Sequence, residues 1–393
     1  MSSRFDEMID RTGTHSLKYD LKKAFGKPED VLPMWVADMD FQAPETVRQA
    51  LAKAAAHGIF GYSATDQDYD EAVCQWISRH FGWDIRPEWL VKTPGVVFAI
   101  ALAIRAFTKE GEGVLIQQPV YYPFGDKIRE NGRRVVNSPL VFRNGRYEMD
   151  YEDLERKIRD EGIRLMIFCS PHNPVGRVWS IEELEKLARL CEYYNVLIVS
   201  DEIHCDFTYP GVKHHMLASL SDSWAERTIT CTAPSKTFNL AGLQGSNLII
   251  PNEKLRKAMT DELSRTGYGM LNQMAIIACE TAYRTGDDWV EELRGYLKDN
   301  LDHLTSFIEE KIPEIQVIRP EGTYLVWLDF RKMGMDAKQL EEFFDKEAKI
   351  WLDNGKMFGD EGEGFARINI ACPRATLEEA LERLEKAVSA KRP

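Results

Sequence analysis

The stretch TAPSKTFNLAGLQ, residues 232–244, presents one lysine, Lys236, among small and hydroxyl-bearing neighbours, directly after an apolar run, Arg227–Cys231. An unpaired ammonium is costly to bury in a packed core. At the mouth of a sheet the same amine can form a Schiff base with a carbonyl compound. Alone, the segment reads equally well as a surface loop. Two upstream segments bear on the choice. The first, residues 167–176, runs from a buried-looking strand, Leu165–Cys169, into a turn with two prolines, Asn173 and Gly176. The second, residues 196–204, is an apolar strand ending on Asp201. Three strands thus deliver Asn173, Asp201 and Lys236 at their C-terminal ends. That edge of an open α/β sheet is where ligands bind.

These residue types suit pyridoxal 5′-phosphate. A lysine holds its aldehyde, a carboxylate keeps its pyridine nitrogen protonated, and the ring then accepts the electrons of a substrate carbanion. An asparagine amide can donate to its phenolic oxygen. The plainer readings are a turn residue for Asn173 and a helix cap for Asp201. The motifs Asn-Pro-x-Gly, Asp-Glu and Ser-Lys-x-x-x-Leu-Ala-Gly, in this order, resemble those of the fold-type I pyridoxal-phosphate enzymes, the aspartate aminotransferase superfamily. The resemblance extends over nearly the whole chain. It implies an α/β, three-layer fold with a mostly parallel central sheet plus a smaller α+β domain, and a homodimer with shared active sites.

The cofactor's phosphate calls for backbone N–H groups at a helix N-terminus. Thr93-Pro-Gly-Val-Val97 opens an apolar helix, so Gly95, Val96 and Val97 are candidates, the alternative being a simple Pro-Gly turn. No lysine or further glycines follow at Walker or dinucleotide spacing. Ser235 is a second phosphate donor. Many relatives place an arginine a few residues beyond the lysine; Gln244 stands in that neighbourhood here. In Gln118-Pro-Val-Tyr-Tyr-Pro-Phe124 an aromatic can stack on the pyridine ring. Tyr121 is the first choice by motif position, Tyr122 the second, and core packing the plain alternative for both. By resemblance, Tyr62 reaches across a dimer interface to the other subunit's phosphate. His204 stands where aminotransferases often have tyrosine; it could orient Asp201 or the phenolic oxygen, or fill space.

An amino-acid substrate needs a fork-shaped donor for its carboxylate. Arg367, on the strand-like Phe365–Asn369, matches the family motif, with Arg374 as the alternative. The segment Leu32–Phe41, LPMWVADMDF, looks like the signature of the MalY/PatB branch, the cystathionine β-lyase-like C–S lyases. The resemblance implies β-elimination from an amino-acid thioether to thiol, pyruvate and ammonia, with Trp35 and Val36 on the substrate side. Lys236, Asp201 and Tyr121 form the catalytic set. An aminotransferase uses the same residues up to the carbanion, so the motifs leave both reactions open.

The elements that must position these groups are legible in outline. Helices are predicted over residues 44–57, 66–81, 96–107 and 180–194, the last opened by a Ser180–Glu183 capping box. Strands are predicted at 114–117 and within 135–141. After Asp287 a long charged helix runs to about Lys311. Strands follow near 324–328 and 366–370, and a final helix is predicted to open at a Thr376–Glu379 capping box. The expected division is an N-terminal segment, 1–45, packed on the small domain; a large cofactor-binding domain, 46–286; and a small C-terminal domain, 287–393.

The chain's 393 residues are 44% hydrophobic, with no transmembrane-length run, so no membrane partner is expected. A net charge of −13 argues against nucleic-acid binding. The polar N-terminus does not resemble a secretory signal. The seven cysteines are scattered without Cys-x-x-Cys and read as reduced core thiols, so a cytoplasmic location is expected. His214-His215 has no partner at metal spacing and reads as loop; no metal site is expected.

Overall fold

Seven strands form the main sheet of the structure, a computed structural model that describes residues 3–392. In chain order they are β1 (Leu90–Thr93), β2 (Gly113–Ile116), β3 (Arg134–Asn137), β4 (Leu165–Cys169), β5 (Leu197–Asp201), β6 (Thr228–Thr232) and β7 (Ser246–Ile249). Their spatial order is β1-β7-β6-β5-β4-β2-β3. The pairings of β7 are antiparallel and all others parallel. Strands β4 and β6 are buried at every position, as expected of parallel strands covered on both faces.

Side-chain alternation along these strands builds the three layers. Ile167, Cys169, Val199 and Ile229 pack into one core with Ala99, Ile100 and Ala103 of the helix Val96–Phe107. Met166, Phe168 and Ile198 point the other way, onto Leu184, Leu187 and Cys191 of the helix Ile181–Tyr193. That second helix opens with the Ser180–Glu183 capping box.

A second sheet, all antiparallel, is ordered β8-β9-β11-β10 from β8 (Gln316–Ile318), β9 (Leu325–Asp329), β10 (Asp353–Asn354) and β11 (Phe365–Asn369). Alternation again decides what faces what. Ala366 and Ile368 join the core formed with the helices Asp287–Lys311 and Arg374–Ser389. Phe365 faces the main sheet's core and lies parallel to Trp327 at 5.3 Å between ring centroids. Arg367 shares the face of Phe365.

The N-terminal segment runs along this second sheet. Leu32–Pro33 pairs in parallel with Ile350–Trp351, and the Asp40 N–H donates to the Ala371 carbonyl at 2.9 Å. Lys18, fully buried, donates to Asp40 at 2.7 Å, and Arg11 bridges Asp38 and Asp40.

One local expectation, the start of the final helix, is corrected, and two others gain detail. The run 135–141 holds the end of β3 and the first residue of a separate hairpin strand, Val141–Arg143. The final helix begins at Arg374 with Pro373 as N-cap, so the Thr376–Glu379 box does not form; Thr376 is buried in the first turn. His214 is in a loop, but its Nε2 lies 2.7 Å from the buried carboxylate of Glu202. All seven cysteines are unpaired thiols, six of them buried. Among the described residues there is no His/Cys/Asp/Glu cluster able to hold a metal ion, and no helix long and apolar enough to cross a membrane.

Candidate active site

Strands β4, β5 and β6 are neighbours in the sheet, with Cys169, Asp201 and Cys231 in register. The chain leaving their C-terminal ends therefore brings Asn173, Asp201 and Lys236 to one cavity of about 250 Å³. Gly95, Val96, Val97, Tyr121, His204 and Ser235 line the same cavity.

Lys236 sits in a single helical turn, Pro234–Thr237, with proline at its first position. Its Nζ donates to the Ala37 carbonyl at 2.7 Å. Burial pushes the amine down to about 8, although the Asp38 carboxylate nearby works the other way. The Asp201 carboxylate accepts from the Ile203 N–H at 3.2 Å. Burial pushes it up to about 7, against that hydrogen bond and the charge of Lys236. A protonated ring nitrogen beside Asp201 would draw it back down. His204 is buried with no partner on Nδ1, and burial holds its imidazole neutral. Its ring meets Tyr324 edge-on at 5.7 Å.

Tyr121 is held in the wall by its own N–H, which donates to the Asn173 carbonyl at 3.0 Å. Gly95 caps the helix Val96–Phe107 with φ of 156°, a conformation that favours glycine, and so exposes the first N–H groups to the cavity. Gln244 lines that end of the cavity, and Lys236 is the one cationic side chain in the lining.

Arg367 is brought in by the second sheet. Its Nη1 donates to the Asn173 Oδ1 at 2.8 Å and its Nη2 to the Trp35 carbonyl at 3.1 Å. Nη2 also pairs with Asp353, and both side chains are buried. Arg374 is elsewhere, its Nε donating to the Asn300 Oδ1 at 3.0 Å. Val36 lines an adjoining cavity of about 670 Å³ that shares Ala37, Lys236, Ala241 and Gln244 with the first. Trp35 and Tyr122 line a third cavity, of about 720 Å³. The Trp35 ring stacks on Trp351 at 4.2 Å, and its carbonyl accepts from Arg367. Tyr62 is fully exposed, beside exposed Ile59 and Phe60, and lies outside its own chain's cavity.

Two contributors escaped the sequence reading. Ala37 acts through its backbone, which no side-chain pattern reveals. Asp353 ends the apolar run Ile350–Leu352, and a carboxylate in such a run calls for a buried partner. That signal was available.

A hydrogen-bonding lysine, a buried carboxylate, an orphaned imidazole nitrogen and an open helix N-terminus around one cavity fit pyridoxal phosphate. The comparisons with known proteins agree. The family model of the class I and II aminotransferases matches residues 29–384. Cystathionine β-lyase PatB of Bacillus subtilis is 44% identical over 98% of this chain and 100% of its own. Cystalysin of Treponema denticola, whose crystal structure contains pyridoxal 5′-phosphate, is 38% identical with a TM-score of 0.96 over the full length of both chains. A pyridoxal-phosphate-bound C–S lyase of Staphylococcus hominis is 34% identical with a TM-score of 0.93, covering 99% of this chain and 98% of its own.

The chain belongs to the class I and II aminotransferase family and is a pyridoxal-phosphate-dependent enzyme of fold type I. Within that family it is a carbon–sulfur lyase of the PatB and MalY kind.

Proposed function

We propose that the enzyme cleaves the Cβ–S bond of L-cystathionine and other cysteine S-conjugates, giving a thiol, pyruvate and ammonia. The observation that carries this reading is the convergence of Lys236, Asp201 and Asn173 on one cavity, with Arg367 hydrogen-bonded to Asn173 behind its wall. Similarity to cystathionine β-lyase PatB along the entire chain supports β-elimination over amino-group transfer.

Bound pyridoxal phosphate supplies the electron sink for the carbanion. Lys236 would anchor the cofactor's aldehyde, and its amine, at the same cavity, is the residue placed to accept the substrate's Cα proton. An amine already lowered to about 8 is suited to that role near neutrality. Asp201 would pair with the cofactor's pyridine nitrogen and favour its protonated form. Asn173 and His204 would serve its phenolic oxygen, and Tyr121 would stack on its ring. Gly95, Val96, Val97 and Ser235 would hold its phosphate. The second subunit of a homodimer adds Tyr62, consistent with its exposure beside Ile59 and Phe60. Arg367 holds the substrate carboxylate, and Val36 borders the space for the sulfur substituent with the Trp35 backbone behind it. Water completes the balance: the thioether and one water give the thiol, pyruvate and ammonium.

The division at 45/46 and 286/287 is our reading of the domains, with the N-terminal segment belonging to the small one. A cytoplasmic homodimer acting in methionine biosynthesis is consistent with the homocysteine that cystathionine cleavage releases.

The test is incubation of the holoenzyme with L-cystathionine and no added keto acid. Pyruvate and free thiol should appear in equal amounts. Dependence on a keto-acid acceptor without thiol release would instead establish an aminotransferase, the reading that the broad family match alone allows.

A further inference from the structure

Strand register puts Asp353 directly opposite Arg367 on the neighbouring strand. Each side chain is 3% exposed, and the Asp353 Oδ2 accepts from the Arg367 Nη2. Three further contacts hold the guanidinium. The Trp35 carbonyl shares Nη2, the Phe358 ring lies 4.9 Å from Cζ, and Nη1 reaches the Asn173 Oδ1 at 2.8 Å. Its Nε is buried and has no hydrogen-bond partner among the described residues. A buried guanidinium that lacks a counter-charge is strongly destabilising. Among the described residues Asp353 is the one carboxylate with a hydrogen bond to it, and the contact fixes the plane of the guanidinium as well as balancing its charge.

Resting on the reading of Arg367 as the carboxylate anchor, we infer that Asp353 is the positioning residue of that anchor and sets the enzyme's preference for substrates with a free α-carboxylate. Asp353 touches neither cofactor nor substrate in this scheme. It holds Nη2, so that the second hydrogen of Nη1, the one not given to Asn173, keeps one orientation. A substrate carboxylate then meets a charged donor that is already aimed. Without Asp353 the side chain must be ordered on binding, and part of the interaction is lost to that cost. A substrate in which an amide replaces the carboxylate gains little from the aimed donor.

The experiment uses the holoenzyme and 2-aminoisobutyrate, which has no Cα proton to lose, beside its amide. Binding is read from the cofactor's absorbance, so the result does not depend on which reaction the enzyme catalyses. Asp353→Ala should weaken the acid roughly tenfold, the scale of one charge-assisted contact, and leave the amide nearly unchanged. Asp353→Asn keeps an acceptor in place and should stay within about threefold of wild type for the acid. Asp353→Glu keeps the charge but moves it by one methylene, and should also lose part of the acid-over-amide preference. It serves if Asp353→Ala yields no folded protein. Equal weakening of acid and amide, or an unmoved preference in both Ala and Glu variants, overturns the inference. Arg367→Lys is the control: a preference unmoved in that variant removes Arg367 from the carboxylate site, and the inference falls with it.

Discussion

The Nζ of Lys236 donates to the carbonyl of Ala37 at 2.7 Å, across 199 residues of chain. The Tyr324 hydroxyl donates to the same oxygen at 3.1 Å. The lysine of the main sheet is thus directed by a backbone strap that belongs to the N-terminal segment. The strap is tied down from both sides. Asn239, three residues beyond Lys236, donates to the Met39 and Phe41 carbonyls, and Asn369 of β11 donates to those of Val36 and Asp38.

The first prediction concerns the lysine in the cofactor-free protein. Attack on an aldehyde requires the neutral amine, and burial lowers Lys236 from 10.5 to about 8. A lowered lysine is neutral above its shifted value. Recombination of the apoprotein with pyridoxal phosphate, followed by absorbance, should therefore accelerate as pH rises through about 8. Acceleration confined to pH above about 10, the ordinary lysine range, would mean that the site does not lower the amine.

Asp201 should matter to the rate more than to binding. Asp201→Asn removes the charge that favours a protonated ring nitrogen, a term that grows as the carbanion forms. The variant should fold and bind cofactor, while kcat drops on the order of a hundredfold or more. A kcat within experimental error of wild type would reduce Asp201 to a buried structural residue.

Asn369→Ala tests the strap. The substitution leaves the Val36 and Asp38 carbonyls without this donor, and each buried group left unpaired costs on the order of 1–3 kcal/mol. Denaturant unfolding of the apoprotein should show a loss of that order, and turnover should fall through misplacement of Ala37. Wild-type stability together with wild-type turnover would show that the strap is held without Asn369.

Arg367→Lys keeps a positive charge but loses the planar fork. The loss of a charge-assisted hydrogen bond, about 1.5–3 kcal/mol, corresponds to roughly tenfold to a hundredfold in kcat/KM. Cystathionine and simpler cysteine S-conjugates should suffer alike, since both present the same α-carboxylate. Unequal losses would place Arg367 against the sulfur substituent instead, and no loss at all would turn attention to Arg374.

The sequence by itself determined the main sheet's functional edge. Asn173, Asp201 and Lys236 each follow a short apolar strand with its turn signal, all within about ten residues of local sequence, and period-two alternation separates the two cores. Local information of that kind survives without tertiary context. It also misleads where packing overrides it: Thr376 and Glu379 have the spacing of a capping box, yet Pro373 starts the helix earlier and Thr376 is buried inside the first turn. Tertiary structure alone decided the relations between distant segments. The core-packing alternative for Tyr121 falls only in the fold, where the residue lines the cavity with its N–H tied to the Asn173 carbonyl. Trp35 turns its ring onto Trp351 and offers Arg367 its carbonyl. The Ala37 oxygen and the Asp353 carboxylate reach Lys236 and Arg367 through strand pairing and straps that join residues far apart in the chain. Such contacts depend on which sheet faces which: the Ala37 backbone carries no residue-type signature, and the carboxylate after Ile350–Leu352 calls for a buried partner without naming Arg367.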